Sequence, residues 1–528
     1  MFKRPVKMQR TRLLTGWSRG LRNDRMVKKL CVALVLLTIG TVLWSRTPGS
    51  LHFPTKPPND VYLQRGVFRS QPVSGFVNMG SSDKAQCDDL RYEGELNFQP
   101  SIQLSDDFVE LAQKLGHHPM VDYSEQDKSL TFEQKVKETW AEASGSSIWL
   151  PRYNVFLVVT RAIFYSKGVK QWPRISFLRG RVYDKDWVEK KNYTINWQDI
   201  DITFPTVFKV PTPYEIGGCF YGPEDPRITI EEGVDDAEPV VVYNLLSDTK
   251  EKTRTMHVFR PFSNFSIMLT INDKERKQSE KNWAPFFYNP TPSKHRLPSQ
   301  HIHFLYNFRP LVILKCHLER GLCDFVYDQK ISKEQDARYS GVKGWMTGGT
   351  NLVPIPLDSG KETSAYIGFP RSHMNAGCGD GSSYRPELMV LVASNRTHFH
   401  IDHLSEWIDF GSAVLTPQAQ IDPCGEGRIL MASSIARWDR DHGQDVMTLF
   451  LSLADAAVRV LRVHGVLTYI NGVFRLKNSQ KGETKRPDRE LWKEQRSDIG
   501  FNVLGCAVES VQNHTIALVE AVHGKALG

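Results

Sequence analysis

The chain has 528 residues, of which 40% are hydrophobic, so it can bury a sizeable core and is not a generally disordered protein. Its formal net charge of +8 comes from residues 1–29, which hold ten Lys or Arg and one acidic residue. The rest of the chain carries 67 − 10 = 57 basic and 59 − 1 = 58 acidic residues, and this balance argues against a nucleic-acid partner.

A charge-free apolar segment follows this basic tail. As a helix it would span about 22 Å, which is short for a hydrocarbon core of about 30 Å. A cleaved signal peptide is the alternative, but the charged region before it is long and Leu43-Trp44-Ser45 is a poor cleavage site. We therefore predict a cytoplasmic tail over 1–29, one transmembrane signal anchor over 30–45, a Pro-rich stem over 46–90 and a luminal body over 91–528. This is a type II topology, and the short span suits the early secretory pathway.

Two packing helices are predicted at the start of the body. Ser105 can cap the first helix, which ends at Gly116. Thr131 and Gln134 form a capping box for the second, whose apolar face continues to Ala143.

Short β-branched or aromatic segments follow, separated by turn residues. They are Val155–Phe164, Arg174–Tyr183, Pro239–Leu246, His303–Phe308, Leu311–His317, Cys323–Tyr327, Ala365–Phe369, Glu387–Ala393, Ile429–Ser433, Val446–Leu453 and Ala457–Val463. The last two flank a predicted turn at Ala454-Asp455-Ala456, although a helix is the alternative there. Many short strands without regular helical crossovers predict an all-β fold, either a propeller or a large sandwich.

Sequons and cysteines are consistent with a luminal body. Four acceptor sequons predict glycosylation at Asn192, Asn264, Asn395 and Asn513. Cys316 and Cys323 are the easiest pair to join in an oxidising lumen, because a short hairpin could connect them. The absence of a C-x-x-C pair argues against a zinc ribbon.

The densest candidate site lies in the segment 217–228. Here Glu224 and Asp225 stand between two prolines, and Arg227 follows. Each proline disfavours helical geometry in the residue before it, so we expect an extended segment with Asp225 and Arg227 on one face. A carboxylate beside a guanidinium could transfer a proton next to an anionic substrate group. The alternative is a tight turn with an ordinary surface ion pair.

Further candidates are individually ambiguous. Lys281 and Asn282 precede Trp283 and would suit a sugar phosphate beside a sugar ring, or they cover a core tryptophan. His373 could donate to a phosphate or be structural, and Asp455 is a polar residue in the predicted turn. Gly348-Gly349-Thr350 could allow close approach to a ligand or could form a turn.

Metal binding has little support in the sequence. The triplets Asp184-Lys185-Asp186 and Asp439-Arg440-Asp441 could hold a divalent metal on a nucleotide sugar. Two such triplets are expected by chance in a chain of this composition, and each has a basic residue in the middle. No metal ligand or certain cofactor is predicted, and a divalent metal is possible but unsupported.

The motifs Gly222–Ile228, Glu280–Phe286 and Gly348–Thr350 occur in the order seen in fungal β-mannosyltransferases, which the chain resembles from about residue 91 onward. These yeast Golgi enzymes add β-1,2-linked mannose to cell-wall mannan. More distantly, Glu224–Arg227 resembles a motif of inverting β-mannoside phosphorylases, which are five-bladed β-propellers. The resemblance thus implies a five-bladed propeller in the Golgi lumen, with GDP-mannose as donor and an α-mannan glycan as acceptor.

The resemblance also implies roles for individual residues. Asp225, with Glu224 beside it, would supply the catalytic carboxylate, because inversion by single displacement needs one base for the acceptor hydroxyl. The residues expected on the phosphate side are Arg227, Lys281 and His373. The residues expected to hold the mannosyl group are Arg161, Asn282 and Asp455. The alternatives are a β-mannoside phosphorylase or hydrolase on the same scaffold, or a mannan-binding lectin without catalysis.

Overall fold

A computed structural model of the chain describes residues 69–79, 86–166, 172–234, 237–288, 297–333, 336, 342, 344–356, 363–375, 382–394, 397–422, 424–441, 444–481 and 501–523. All of them belong to the unit Gly66–Gly528. The predicted tail, the predicted anchor, the first part of the predicted stem and the sequon at Asn395 lie outside the described residues. None of the described helices is both long and apolar enough to cross a membrane.

Five α-helices occur in the described part of the chain. They are α1 (Phe108–Leu115), α2 (Phe132–Thr139), α3 (Pro417–Ile421), α4 (Val466–Lys481) and α5 (Phe501–His523). The capping box of Thr131 and Gln134 is confirmed, whereas α1 is capped by Asp107 instead of Ser105. The predicted extension of α2 to Ala143 is wrong, because Trp140 begins a strand that pairs along its whole length with its neighbour. Strand pairing in the core outweighs local helix propensity there.

The rest of the described chain is mostly β-structure. The first strands are β1 (Arg69–Val77), β2 (Arg91–Phe98), β3 (Ile102–Leu104), β4 (Trp140–Leu150), β5 (Val155–Tyr165), β6 (Pro173–Tyr183), β7 (Tyr193–Trp197), β8 (Ile200–Phe204) and β9 (Thr206–Val207). The middle strands are β10 (Glu224–Thr229), β11 (Val240–Asp248), β12 (Thr253–Arg260), β13 (Phe265–Met268), β14 (Thr270–Ile271), β15 (Ala284–Phe286), β16 (His301–Phe308), β17 (Leu311–His317) and β18 (Leu322–Asp328). The last strands are β19 (Gly344–Thr347), β20 (Val353–Ile355), β21 (Thr363–Gly368), β22 (Arg371–Met374), β23 (Ser383–Pro386), β24 (Met389–Ser394), β25 (His398–Ser405), β26 (Leu430–Asp441), β27 (Gln444–Leu453) and β28 (Ala457–His464).

Consecutive strands form small sheets that follow one another along the chain. Their orders are β4-β5-β6-β9, β10-β11-β12-β13 and β14-β18-β17-β16-β15, with the smaller sheets β7-β8 and β19-β22-β23. A ten-stranded sheet runs β20-β21-β24-β25-β1-β2-β28-β27-β26, and β3 pairs with β28. This propeller-like arrangement confirms the predicted mostly-β class. The strands predicted from the sequence are found within a few residues, as is the turn at 454–456, except that the strand predicted to end at Ser433 continues to Asp441.

Hydrogen bonds join strands that belong to different sheets. Ser146 of β4 accepts from the backbone N–H of Ile228 in β10 at 2.8 Å, and Ser434 of β26 accepts from the N–H of Ser147 at 2.8 Å. The Asn351 side chain, just before β20, accepts from the N–H of Ile435 in β26 at 2.9 Å. Small and polar side chains on these strands therefore satisfy backbone groups that would otherwise be buried without partners.

The C-terminal half of the predicted stem belongs to the folded unit. β1 pairs with β2 on one side and with β25 on the other, and Phe76 and Val77 are buried. A 3-10 helix at Cys87–Leu90 follows, and Cys87 is disulfide-bonded to Cys506 in α5. The predicted boundary at residue 91 is therefore too late, since Pro and Ser in this stretch indicated a linker although its apolar residues pack in the core. The predicted Cys316–Cys323 disulfide is confirmed between paired positions of β17 and β18.

Candidate active site

Charged side chains from several sheets meet around Asp225, at the start of β10. They come from β5 (Arg161), from the loop before β15 (Lys281) and from β22 (Arg371), and the charges of all three act on Asp225. Asp455, in the turn between β27 and β28, feels the charges of Asp225, Arg161 and Arg371. Segments far apart in sequence thus supply one polar site.

The backbone at Asp225 is not extended as the sequence predicted. Its φ is +50°, and the β10–β11 register shifts between Glu224 and Arg227. Asp225 and Pro226 therefore form a β-bulge, which changes the direction of one side chain relative to the regular alternation of a strand. Aspartate is one of the few residues that adopts this left-handed geometry at modest cost. The bulge turns the Asp225 carboxylate towards the other sheets.

Asp225 is surrounded by positive charge. Its Oδ2 lies 3.6 Å from Nη2 of Arg371, and its side chain remains 26% exposed. Burial by itself would raise the pKa of Asp225, but the positive charges of Arg371, Arg227, Arg161 and Lys281 lower this pKa to about 2. The carboxylate is therefore ionised at neutral pH and is accessible to a ligand.

Glu224 is held differently although it is the adjacent residue. One carboxylate oxygen accepts from Arg161 Nη2 at 2.8 Å, and the other lies 2.8 Å from Arg254 Nη1. The exposed fraction of its side chain is 18%. Both oxygens are thus engaged by cations, whereas Asp225 has a single, longer ion pair among the described residues.

Arg227 is buried beneath Asp225 and does not face the open site. Its Nη1 donates to the backbone carbonyl of Asp225 at 2.8 Å, and its Nε donates to the carbonyl of Gly349. Burial and the charge of Arg371 lower its pKa to about 10, while Asp225 opposes this shift. A Cβ at Gly349 would lie 2.1 Å from the carbonyl oxygen of Phe369, so this glycine permits close packing of the chain on itself. This explains the Gly-Gly motif without a ligand.

Arg371 is the site residue that the sequence analysis missed. Its side chain is 5% exposed, and besides Asp225 it contacts Asn282 Oδ1, to which Nη2 donates at 2.7 Å. Its Nε donates to Thr347 Oγ1 at 3.4 Å, and its guanidinium lies over the ring of Tyr384. The only sequence signal was an arginine directly after Phe369-Pro370 at the end of an apolar strand, which is equally typical of a surface residue.

Asn282 and His373 both lie close to Arg371. Asn282 has a φ of +63° and orients the guanidinium through its side-chain oxygen. The His373 ring stacks on Tyr384 with centroids 4.5 Å apart and meets Trp345 edge-on at 4.1 Å. Its Nε2 is buried without a hydrogen-bond partner among the described residues. Burial, with the charges of Arg371 and Lys281, lowers the pKa of His373 to about 4, so its ring is neutral at pH 7.

The remaining predicted residues divide between the site and the surface. Lys281 is exposed, and Asp455, at a φ of +49° in its turn, has a pKa raised by burial and by the charge of Asp225. The sequon asparagines Asn192, Asn264 and Asn513 are exposed, as glycosylation requires. Within the described ranges, no group of three or more His, Cys, Asp or Glu is arranged to hold a metal ion. Asp184 accepts from the backbone of its own loop, and Asp439 pairs with Arg437.

Beside this cluster lies a cavity of about 320 Å³. Asn282 and Thr347, whose side-chain oxygens accept from Arg371, are among its lining residues. The site therefore combines an ionised carboxylate, several cations and an adjoining concave space, as expected for an enzyme that acts on an anionic substrate.

The chain matches a family model described as beta-mannosyltransferases over residues 86–263 and 260–514. It is 30% identical over 465 residues to beta-mannosyltransferase 2 of Komagataella phaffii, covering 84% of this chain and 71% of that protein. It is 29% identical over 444 residues to beta-mannosyltransferase 3 of Candida albicans, covering 79% of this chain and 77% of that one. A structural match to a sialidase of Trypanosoma rangeli covers 67% of this chain and 47% of the sialidase, at 9% sequence identity. Its TM-score of 0.30 is too low to indicate a shared fold.

The fold and the charged site therefore belong to a glycosyltransferase. More specifically, the chain is a member of the beta-mannosyltransferase family and is a mannosyltransferase. The resemblance read from the motifs around Glu224–Arg227, Lys281 and Gly348 is confirmed.

Proposed function

We propose that this enzyme transfers mannose from GDP-mannose to a mannan or an N- or O-linked glycan in β-1,2 linkage, with inversion, during fungal cell-wall mannan synthesis. The names of its relatives support a β-mannosyl product. The observation that carries the mechanism is the contrast between Glu224, whose two oxygens are held by arginines, and Asp225, which is ionised and accessible.

The reaction is a single displacement at the anomeric carbon. The hydroxyl oxygen of the acceptor forms a bond to C1 of mannose, on the face opposite the diphosphate. Asp225 accepts the proton of that hydroxyl as the bond forms. The bond from C1 to the phosphate oxygen breaks, and its electron pair leaves with GDP. Because the donor is α-linked, attack from the opposite face yields a β-mannoside. Glu224 acts as a positioning residue that holds Arg161 and Arg254.

The cations have a separate task on the leaving-group side. Arg371 and Lys281 would stabilise the negative charge of the departing diphosphate, and neutral His373 would donate an N–H to it. Arg227 is buried and would act indirectly, by fixing the backbone of Asp225. Arg161, Asn282 and Asp455 would contact the mannosyl hydroxyls.

Donor binding would also strengthen the base. With a pKa of about 2, Asp225 is a weak proton acceptor in the free protein. The bound diphosphate places negative charge beside the same cations that lower this pKa. Its binding offsets their effect, so the pKa of Asp225 rises when the donor is present and the base becomes stronger when it is needed.

The same proposal includes five blades and a Golgi-anchored topology. We take β4, β10, β15, β20 and β26 as the innermost strands of five blades. Hydrogen bonds link β4 to β10 and to β26. The segment just before β20 is linked to β26 through Asn351, and to β15 through Leu352, whose N–H donates to the carbonyl of Pro285 at 2.9 Å. The ten-stranded sheet is then two blades joined at their outer edges by the β1–β2 hairpin. The anchor over 30–45 would hold this propeller in the Golgi lumen.

Product analysis tests the function. The protein is incubated with GDP-mannose and a defined α-mannan oligosaccharide, and the new linkage and its anomeric configuration are determined by NMR. A β-1,2-linked mannose and stoichiometric GDP are expected. Parallel reactions use mannose 1-phosphate as donor, or a β-mannoside with inorganic phosphate. Turnover only in these parallel reactions would indicate a phosphorylase, and no turnover in any of them would indicate a lectin.

A further inference from the structure

The cavity beside the charged cluster begins where the leaving group would lie. Arg371 Nη2 is 3.6 Å from the Asp225 carboxylate and donates to Asn282 at 2.7 Å. Asn282 lines the cavity, together with Thr347. A diphosphate bound to Arg371 would thus direct its far end into this space, whose volume of about 320 Å³ falls within the range of about 300–1,000 Å³ typical of small-ligand sites.

Helix α5 forms one wall of the cavity. Leu504 and Val508 line it, and Cys506 between them is joined to Cys87 by a disulfide. The wall is therefore a covalently tethered element outside the propeller sheets. The lining also includes Trp345, a strand residue that is 47% exposed although it lies beside His373. An exposed tryptophan in a concave site offers a flat surface on which a planar base can stack.

Glu280 provides a polar group inside the cavity. Its two oxygens accept from Trp283 Nε1 at 3.3 Å and from Tyr306 Oη at 3.1 Å, and the residue is 7% exposed. A carboxylate has about four lone-pair sites, so each oxygen can accept a second hydrogen bond. Guanine presents two adjacent donors, N1–H and the 2-amino group, that match such a carboxylate. Adenine has an acceptor at N1 and no 2-amino group.

We propose that this cavity binds the guanosine half of the donor, with the base against Trp345 and its N1–H and 2-amino edge facing Glu280. The inference rests on the proposed function, which places a nucleoside diphosphate on Arg371. In this arrangement Glu280, Trp345 and α5 select the nucleotide, whereas Asp225 carries out the proton transfer.

Calorimetric titration of GDP, inosine diphosphate and ADP into the full chain tests this assignment. Hypoxanthine keeps N1–H but lacks the 2-amino group, so affinity should fall in the order GDP, inosine diphosphate, ADP. GDP should bind tighter than ADP by on the order of 10- to 100-fold, as expected for hydrogen bonds to a charged group. In Glu280→Gln the preference for GDP should largely disappear. Equal affinity of the wild-type protein for GDP and ADP, or full discrimination by Glu280→Gln, would overturn the assignment.

Two further variants separate binding from folding. Trp345→Ala should weaken the binding of all three nucleotides by a similar factor. The control is Phe325→Ala, which should leave their binding unchanged. Phe325 lies on β18, is 41% exposed and is not among the lining residues. Val508→Trp fills the cavity and should abolish GDP binding, whereas Glu509→Gln on the same helix should leave it unchanged. Thermal unfolding of each variant reports on folding. Unchanged GDP binding in a folded Val508→Trp protein contradicts the assignment.

Turnover distinguishes this inference from the proposed function. If the wild-type protein transfers mannose from GDP-mannose but none of these variants changes GDP affinity, only the cavity assignment fails. If it binds GDP through Glu280 and yet does not use GDP-mannose, the guanine site stands and the proposed donor fails.

Discussion

Two adjacent carboxylates in this mannosyltransferase have different surroundings, and this difference supports the separate roles proposed for them. Asp225 lies in a bulge, is partly exposed and faces Arg371, while Glu224 is held between Arg161 and Arg254. A general base must be free to accept a proton, and a carboxylate whose two oxygens are already ion-paired is poorly suited to that task. The resemblance selected Asp225 as the base, and the geometry supports the same choice for an independent reason.

Asp225→Asn should reduce kcat by about 10²- to 10⁴-fold, because an amide cannot accept the acceptor's proton. GDP affinity should change little or become tighter, since one negative charge beside the cations is removed. Steady-state kinetics and GDP titration measure both effects. Asp439→Asn, a matched change at an exposed carboxylate paired with Arg437, is the control. Activity of Asp225→Asn within a few-fold of wild type would rule out its assignment as base.

Glu224→Gln should act mainly on stability and on substrate positioning. It weakens two ion pairs with Arg161 and Arg254, so we expect the free energy of unfolding to fall by about 1–3 kcal/mol. The loss in kcat should be much smaller than for Asp225→Asn, with a rise in KM. Denaturant unfolding and kinetics on the same preparations measure these quantities. A kcat loss as large as that of Asp225→Asn, without loss of stability, would make Glu224 the base instead.

The pH dependence of the reaction should differ between kcat and kcat/KM for the donor. In the free protein the pKa of Asp225 is lowered from 3.8 to about 2, so the base stays ionised at most acidic pH values. We therefore expect kcat/KM to remain constant until the pH approaches this pKa. In the donor complex the diphosphate raises this pKa, so kcat should begin to fall at a higher pH. The acid limbs of kcat and of kcat/KM are measured in full pH profiles. The same profiles of Asp455→Asn show whether the carboxyl group of Asp455 contributes to either limb. Coincident acid limbs would contradict donor-induced strengthening of the base.

At the scale of elements, the sheets supply the frame and the segments between and around them supply the site. Lys281 and Asn282 precede β15, Asp455 lies in the β27–β28 turn, and α5 closes the neighbouring cavity. Helix α5 is joined to the N-terminal part of the fold through Cys87–Cys506, across 419 positions of sequence. Such a long closed loop restricts the unfolded chain more than the Cys316–Cys323 link, which spans 7 positions.

Removing these two disulfides should therefore have unequal effects on stability. Cys87→Ser with Cys506→Ser should lower the Tm and the free energy of unfolding by typically 2–4 kcal/mol. Cys316→Ser with Cys323→Ser should cost less, because its loop is short. The first double variant should also weaken GDP binding, because α5 is a wall of the cavity. Calorimetric melting and GDP titration compare the two variants. An equal or reversed order of stability losses would show that the long link does not hold α5 in place.

At the scale of the whole molecule, the N-terminal hairpin completes the fold. β1 and β2 lie in the middle of the ten-stranded sheet, between β25 and β28, so they join two strands whose facing ends in sequence are 457 − 405 = 52 positions apart. The folded unit begins at Gly66, well before the boundary predicted from composition. Loss of β1 would leave backbone donors and acceptors of β2 and β25 unpaired and would expose apolar residues.

Two N-terminal truncations test this arrangement. A protein that starts at residue 66 should be soluble and should melt cooperatively. A protein that starts at residue 91, the predicted end of the stem, should aggregate or melt at a much lower temperature, because it lacks β1 and Cys87. Size-exclusion chromatography and calorimetry measure both. Equal stability of the two proteins would show that the hairpin is dispensable.

The sequence by itself determined what depends on local pattern and on kinship. β-branched and aromatic segments bounded by turn residues predicted eleven of the strands, because such side chains suit a pleated, half-buried surface. The capping box of Thr131 and Gln134 and the hairpin disulfide of Cys316 and Cys323 were also predicted, because each involves residues close in sequence. The motifs around Glu224–Arg227 identified the family, and with it the mannosyltransferase class.

Only the tertiary structure decided what depends on residues distant in sequence. The ion pair of Glu224 with Arg161, the position of Arg371 beside Asp225 and the Cys87–Cys506 link all join residues of different sheets or elements. The bulge at Asp225 also depends on pairing with β11, so the sequence alone indicated an extended segment. Long-range contacts leave no periodic signal along the chain, and for that reason the different surroundings of the two carboxylates could be seen only in the fold.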